Sequence, residues 1–288
     1  MSVPSSTSPG QRPSSSPVRI AFQGELGAFS EEGIRQLWTS ATPVPKRTVV
    51  DVTRAVACGD VDFGLLPIEN TLAGAVRESY DALAASDELH VVAETVVAVH
   101  HCLLALPGAS LDQITTVESH PVALAQCAIF LERHPHLTAV PAFDTAGAAR
   151  DIAQRGDRRA AAIASRAATR YSLQVLAADI EDRPDNQTRF LAIARTPATL
   201  EPGVPARTRF VLTVENLPGA LYRVLTPLSE HDINLASLES RPTGEPWTHR
   251  FFFEVQHQAG DERITAACER VRPLTRSFRV LGSYPAAS

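Results

Sequence analysis

Between Val18 and Ala194 the sequence repeats one unit: a short apolar run, a polar turn, then a segment whose apolar residues recur every three or four positions. A strand covered on both faces reads as a continuous apolar run, and a helix packed on a sheet shows one apolar stripe. The alternation therefore predicts an α/β fold with a mostly parallel sheet. Val18-Arg19-Ile20-Ala21-Phe22 predicts the first strand, ended by the turn Gly24-Glu25-Leu26-Gly27-Ala28-Phe29-Ser30. Ser30 is the expected N-cap of a helix in which Glu31 and Glu32 suit the positive dipole end and Ile34, Leu37 and Trp38 are buried.

The unit recurs down the chain. A helix near residues 51–58 leads to the strand Phe63-Gly64-Leu65-Leu66-Pro67-Ile68, which ends in Glu69-Asn70-Thr71; after Gly74 a helix carries Val76, Tyr80 and Leu83 on one face. Residues 89–106 are nearly continuous β-former, either a crossing between two lobes or consecutive strands. Ser119-His120 precede a helix with Pro121 at its first position, Asp144 or Thr145 caps an Ala-rich helix, and Ser165 caps the next. Asp185-Asn186-Gln187-Thr188-Arg189-Phe190 then stands at the mouth of the apolar run Leu191-Ala192-Ile193-Ala194. Polar side chains at strand ends are where α/β sheets present chemistry to a cleft, so this stretch is the expected catalytic centre.

The pattern changes after Ala194. Residues 196–206 form a Pro-rich linker, and residues 207–285 alternate strand, helix, strand, strand, helix, strand, the order of a small ferredoxin-like βαββαβ domain. Phe251-Phe252-Phe253 places apolar residues on both faces of its strand, which predicts pairing with a second copy.

Composition excludes two partner classes. A formal net charge of −5 over 288 residues offers no field for a polyanion, and no window reaches the ~18 apolar residues of a membrane-spanning helix. Neither nucleic acid nor membrane is expected as a partner. The four cysteines, Cys58, Cys102, Cys127 and Cys268, are far apart and lie in apolar runs, as free thiols in a reducing compartment do. Residues 1–17 are rich in Ser and Pro without an apolar h-region. They predict a disordered tail and a cytoplasmic location.

Several segments occur together in an order found in one family. Gly24-Glu25-Leu26-Gly27-Ala28-Phe29-Ser30, Pro67-Ile68-Glu69-Asn70-Thr71 with Gly74, Ser119-His120-Pro121 with Gln126, and Asn186-Gln187-Thr188-Arg189-Phe190 resemble the motifs of prephenate dehydratases. Pro218-Gly219-Ala220-Leu221, Glu239-Ser240-Arg241-Pro242 and Leu281-Gly282-Ser283-Tyr284-Pro285 resemble that family's ACT regulatory domain. The resemblance implies a catalytic domain over residues 18–195, two-lobed like a type II periplasmic binding protein, with lobe 1 from about 18–95 and 181–195 and lobe 2 from about 96–180. It also implies cofactor-free decarboxylation and dehydration of prephenate to phenylpyruvate in phenylalanine biosynthesis, feedback control by phenylalanine bound at the ACT domain, and a homodimer or homotetramer joined through ACT domains.

Prephenate bears two carboxylates and a ring hydroxyl that leaves as carbon dioxide departs. The enzyme has to orient a dianion and assist the leaving oxygen, and a neutral hydroxyl donor suffices for the second task. Thr188 is the expected donor, with Asn70, Ser119 or Gln126 polarising it. Candidate substrate-binding residues are Thr71, Ala28, Phe29, Ser30, Arg189 and Phe190. Arg189 has the fork geometry that suits a carboxylate, yet strand periodicity sets it on the face opposite Thr188 and Phe190, which allows a structural ion pair instead. Glu69 would repel a dianion and is expected to brace a loop. His120 is expected to cap, and His100-His101 to hold no metal. Phenylalanine is expected at Asn216-Leu217-Pro218-Gly219-Ala220-Leu221, with Glu239, Ser240 and Arg241 lining or bracing the site across a subunit interface. Two alternatives stand beside this reading: an arogenate dehydratase, and a non-catalytic amino-acid sensor.

Overall fold

The structure, a computed structural model, describes residues 17–287. The expected N-terminal tail, Pro17 apart, lies outside the described residues. β1 (Val18–Gln23) leads to α1 (Phe29–Leu37), β2 (Ala41–Lys46), α2 (Val49–Ala57), β3 (Phe63–Asn70), the short β4 (Gly74–Ala75), α3 (Arg77–Ala84) and β5 (His90–Ala98). The chain then crosses at residues 99–101 to a second sheet. This contains β6 (Cys102–Ala105), β7 (Thr116–Ser119), α4 (Pro121–Gln126), α5 (Ala128–Glu132), β8 (Thr138–Pro141), α6 (Thr145–Arg155), β9 (Ala160–Ala164) and β10 (Gln174–Ala177). It returns to the first sheet as β11 (Gln187–Ala194). The long β-former therefore does both things open to it: it folds as two strands, and the break between them is the crossing.

The first sheet runs β2-β1-β3-β11-β5 with β4 beside β3, and the second β10-β6-β9-β7-β8. In the first, Ile20, Phe22, Leu65 and Phe190 pack under Ile34 of α1, while Leu66, Ile68, Leu191 and Ile193 pack with Val52 and Val56 of α2 and Leu83 of α3. In the second, β9 is Ala-rich and buried throughout, and α6 presents Ala148, Ala149 and Ile152 to it. Small side chains on both partners let helix and sheet approach closely. Fully burying each larger aliphatic side chain in these cores contributes about 1.5–3 kcal/mol.

β12 (Pro205–Thr213), α7 (Ala220–Glu230), β13 (Asn234–Pro242), β14 (His249–Gln258), α8 (Glu262–Val271) and β15 (Ser277–Pro285) complete the chain as an antiparallel sheet in the order β13-β14-β12-β15. Phe210, Phe253 and Val255 face α7 and α8. The opposite face departs from expectation. Val211, Phe252, Leu281 and Tyr284 share a core with the first sheet of the same chain, and the Phe252 ring meets Tyr80 of α3 at 5.0 Å. The alternating phenylalanines therefore cover a contact within the chain, and that face is not free to pair with a second copy.

One local expectation also fails, and one strand carries no signal in the sequence. The N-cap of α1 is Ala28, without a side-chain cap, because Glu31 turns back to accept from the Gly27 N–H at 2.6 Å and does the work assigned to Ser30. β2 is hidden in sequence by Pro43 and Pro45, which are tolerated because this strand is the sheet's edge. Asp144 and Ser165 cap as expected, accepting from Gly147 and Ala167.

Candidate active site

β1, β2 and β3 are parallel and β11 runs against β3. The carboxyl ends of the first three and the amino end of β11 therefore meet along one edge, and the turn at Gly24, Lys46, Asn70 and Thr188 all sit there. Thr188 pairs directly with Asn70 across the β3–β11 ladder. The Asn70 amide is held in one orientation: its Oδ1 accepts from the backbone N–H groups of Leu72 (3.0 Å) and Ala73 (2.9 Å). Its Nδ2 must then face β11, where it donates to Asn186 Oδ1 (2.8 Å), the Gln187 carbonyl (3.0 Å) and Thr188 Oγ1 (3.0 Å). Thr71 closes the loop: its N–H donates to the Gln187 carbonyl and its hydroxyl accepts from the Gln187 N–H, both at 2.9 Å.

The consequence for Thr188 is chemical. Its oxygen already accepts a hydrogen bond from a fixed donor, so its own proton is left to give outward from a half-buried position. An accepted hydrogen bond also polarises the O–H that remains. Asn186 beneath it is fully buried, with Oδ1 bonded to Asn70 and its Nδ2 without a partner.

The two sheets close on each other beside this edge. Gly27 lies so near Ala168 that a Cβ there would stand 2.9 Å from the Ala168 Cα. Across the same junction Arg170 donates to both oxygens of Glu31 at 2.9 Å, Tyr171 OH donates to the Leu26 carbonyl at 2.7 Å, and Arg150 pairs with Glu25. Burial pushes the Glu31 carboxyl up, but hydrogen bonds from Arg35 and the Gly27 N–H and the charge of Arg170 hold it below the usual carboxylate value. A cavity of about 340 Å³ opens along the junction, lined by Gly24, Glu25, Lys46, Arg47, Phe143 and Arg150 among others. It lies at the β2 end of the edge, three strand spacings, or about 14 Å, from Thr188. Its lining also includes Asp144 and Asp151. Arg150 is spent on Glu25 and Asp151, and Asp144 on capping α6, which leaves Lys46 and Arg47 as its cations without an ion pair among the described residues. The polar cluster at Thr188 lies further along the same edge.

His101 joins the lobes where the chain crosses. It is buried; its Nε2 lies 3.0 Å from Gln126 Oε1, its ring meets Phe29 edge-on at 5.5 Å, and Nδ1 has no partner. Nε2 therefore carries the proton, and the Gln126 amide nitrogen turns away from the ring. Its neighbour His100 is exposed and meets Glu181 Oε1 at 2.8 Å, while the other Glu181 oxygen accepts from the His101 N–H. His100, Asp179 and Glu181 form the one cluster of potential metal ligands among the described residues. Glu181 is already occupied on both oxygens, so the cluster reads as a clamp between the two crossing segments.

The two histidines should titrate in opposite directions. The hydrogen bond that His100 donates to the Glu181 carboxylate raises His100 above its ordinary 6.5, whereas burial lowers His101 below it. A raised histidine stabilises the native state below 6.5 and loses that contribution as pH rises through its native value. A depressed one costs stability as pH falls through 6.5 toward its native value. Histidine NMR resonances, assigned with single His→Gln variants, should show one midpoint on each side of 6.5. Coincident midpoints would contradict this geometry at the crossing.

Several expected site residues are placed elsewhere. Arg189 is no carboxylate receptor: it is ion-paired with Glu94 of β5 and Glu254 of β14, on the face away from Thr188. Phe190 is 2% exposed and packs in the core under α1, so it touches no cleft. Ser119 is fully buried and donates to the Ile163 carbonyl at 2.6 Å within the second sheet, so it does not polarise Thr188. Ser30 is buried at the start of α1, with Ala28 and Phe29 before it. His120 caps α4 as expected, accepting from the Val122 N–H. Reading the sequence missed His101, Glu31 with Arg170, and the cavity cations Lys46 and Arg47. Only the doubled histidine between two β runs signalled the first.

In the C-terminal unit, Gly219 takes a left-handed φ of 73° at the start of α7, and the preceding Leu217 is exposed. Glu239, Ser240 and Arg241 lie on β13, the sheet's outer edge, with β14 between them and β12. Arg241 pairs with Asp81 of α3 at 2.7 Å, which makes it a brace to the first lobe within the chain.

Comparison with known proteins supplies the name. The family model described as prephenate dehydratase matches residues 20–198, and the ACT domain model matches residues 208–272. Arogenate dehydratase 2 of Petunia hybrida is 38% identical over 287 residues, covering 94% of this chain and 72% of that protein. The crystal structure of a prephenate dehydratase from Arthrobacter aurescens in complex with L-Phe is 32% identical, with a TM-score of 0.86 over 94% of this chain and 92% of that one. A solved structure described as a novel type of quorum-quenching acylase is 34% identical, with a TM-score of 0.85 over 93% of this chain and 98% of its own. The fold, the order of motifs and these matches agree: the chain belongs to the prephenate dehydratase family and carries an ACT domain at its C-terminal end.

Proposed function

We infer that this chain catalyses the decarboxylating dehydration of prephenate to phenylpyruvate. The observation that carries the reading is the fixed Asn70 amide donating to Thr188 Oγ1, which leaves the threonine proton free for a leaving group. In the reaction the ring-carboxylate C–C bond breaks and its electrons enter the ring. The hydroxyl departs with its bonding pair and, with one proton, becomes water. Thr188 donates to that oxygen as charge builds on it, and aromatisation supplies the driving force. Asn70 and Thr71 hold Thr188 in place, and Gln126, oriented by His101, contributes its amide from the other lobe. The departing carboxylate needs no cation. The pyruvyl carboxylate is received by the first-turn N–H groups of α1 at Phe29 and Ser30, the Ala28 N–H being spent on the Glu25 carbonyl, with Lys46 and Arg47 adding positive potential along the cleft.

Arogenate differs only in an alanyl side chain in place of the pyruvyl one, and the similarity to a plant arogenate dehydratase favours testing it alongside. Parallel assays, following phenylpyruvate from prephenate and phenylalanine from arogenate, measure the preference. Turnover of neither dehydratase substrate would favour the sensor reading.

Phenylalanine is the proposed effector, seated at residues 216–221. A second copy brings its β13 edge, with Glu239 and Ser240, to complete the site in a homodimer or homotetramer. Support comes from the separation of the two segments within one chain and from the relative solved with L-Phe. Saturating phenylalanine should lower turnover and raise the melting temperature, by linkage worth about 2.7 kcal/mol at a hundredfold excess over Kd. No change in either removes the regulatory reading. A cytoplasmic location is proposed; no helix among the described residues is long and apolar enough to cross a membrane.

A further inference from the structure

Thr188 and Arg189 are consecutive residues at the mouth of β11, and their side chains leave the sheet on opposite faces. Thr188 meets Asn70 at the cleft edge. Arg189 enters a buried charge cluster between the first sheet and the ACT sheet. Its Nε donates to Glu94 Oε2 at 2.7 Å, and its Nη2 donates to the same oxygen and to Glu254 Oε2 at 2.6 Å. Glu254 is fully buried and is also met by Arg207 (2.6 Å), Arg209 (2.5 Å) and Tyr284 OH (2.8 Å). Arg207 returns to Glu94 at 3.0 Å, and Arg209 donates to Tyr284 OH at 2.8 Å.

Only two carboxylates thus face three guanidiniums. Arg189 comes from the catalytic strand, Glu94 from β5 beside it, and all the other partners from the ACT sheet. Removing the charge of Glu254 would leave three cations against one anion, and the repulsion would fall on Arg189. On the side that carries Asn70 the ladder is irregular: the β3–β11 register shifts between Arg189 and Phe190, while pairing with β5 runs unbroken from Gln187 to Ala192, so the Thr188–Asn70 pair is the less firmly held side of the strand.

We propose that Arg189 is a positioning residue that ties the mouth of β11, and with it Thr188, to Glu254 of the ACT sheet. A shift of that sheet on the first lobe pulls on Arg189 or strips it of a partner, and Thr188, one residue away, moves relative to Asn70. The proposal rests on Thr188 being the hydroxyl donor and on phenylalanine acting at the ACT domain. It adds the route by which the effector's influence arrives.

The test is Glu254→Gln in the full chain, which keeps shape and an acceptor while removing the charge. Hydrogen exchange read by mass spectrometry should show faster exchange in the peptide spanning residues 187–190, with β1 and β2 unchanged. With prephenate, kcat should fall roughly 10-fold with KM within about twofold, as for a small misplacement of a reacting group. Calorimetry should show phenylalanine still bound while its inhibition of turnover is largely lost. Unchanged exchange at residues 187–190 in folded Glu254→Gln overturns the proposal, and so does wild-type coupling of binding to inhibition. If that variant does not fold, Arg189→Lys, which keeps the charge and loses the fork, is read the same way. Failure of the wild type to bind phenylalanine, or to turn over prephenate, would sink those readings and leave the exchange experiment as the test of the tie.

Discussion

Replacing Thr188 with Val should lower kcat by about 10²- to 10⁴-fold, the span associated with losing a positioned proton donor, while KM changes little. The substitution keeps the branched shape and removes only the O–H. Asn70 would still donate to Asn186 and the Gln187 carbonyl, so the edge should hold and the stability cost should be on the order of 1 kcal/mol, that of one lost hydrogen bond. A large loss of rate in a folded protein is therefore attributable to the donor. Near-normal turnover would remove Thr188 from the chemistry, and with it the reading of Asn70 as its orienting partner. Thr188→Ser keeps the hydroxyl with more rotational freedom and should fall between the two.

The second large effect is structural. Gly282 in β15 sits against β5, where an added Cβ would lie 2.1 Å from the Val91 carbonyl oxygen and 2.8 Å from its nitrogen. Both partners are backbone, so no side-chain rotation relieves the overlap. The φ of +153° is also one that L-residues rarely adopt. Gly282→Ala should force the ACT sheet off the first lobe, costing roughly 3 kcal/mol, the upper end of the range for overpacking. Urea unfolding should then resolve into two transitions as the ACT unit loses its hold on the catalytic part. A single transition within about 0.5 kcal/mol of the wild type would mean that β15 does not pack on β5 in this way.

Much of this architecture could be read from the chain because burial and capping are local. The continuous apolar runs became β1, β3, β5 and β11, Asp144 and Ser165 capped where their type demanded, and the Asp-Asn lead marked the mouth of β11. Periodicity also set Arg189 opposite Thr188, and the ion pairs with Glu94 and Glu254 occupy that opposite face. What sequence could not supply was the partner of each side chain at long range. Ser119 closes β7 and Thr188 lies at the opening of β11, both at polar strand ends, yet one is spent on a carbonyl inside its own sheet and the other faces the cleft. Glu31 looks like a dipole residue and is a pin between lobes, because Arg170, far along the chain, reaches it. Phe252 looks like an interface residue and is covered by Tyr80. In each case residue type was informative about chemistry and silent about which of several faces would be buried.

The central claim is that this chain dehydrates and decarboxylates prephenate by means of the hydroxyl at Thr188. Its most direct test follows the appearance of phenylpyruvate absorbance from prephenate with the purified full chain and, in parallel, with folded Thr188→Val. The account predicts product in proportion to wild-type protein, one carbon dioxide released per phenylpyruvate, and at least a hundredfold slower formation by the variant, the lower bound for a lost proton donor. Equal rates from the two proteins, or no product from the wild type, would contradict it.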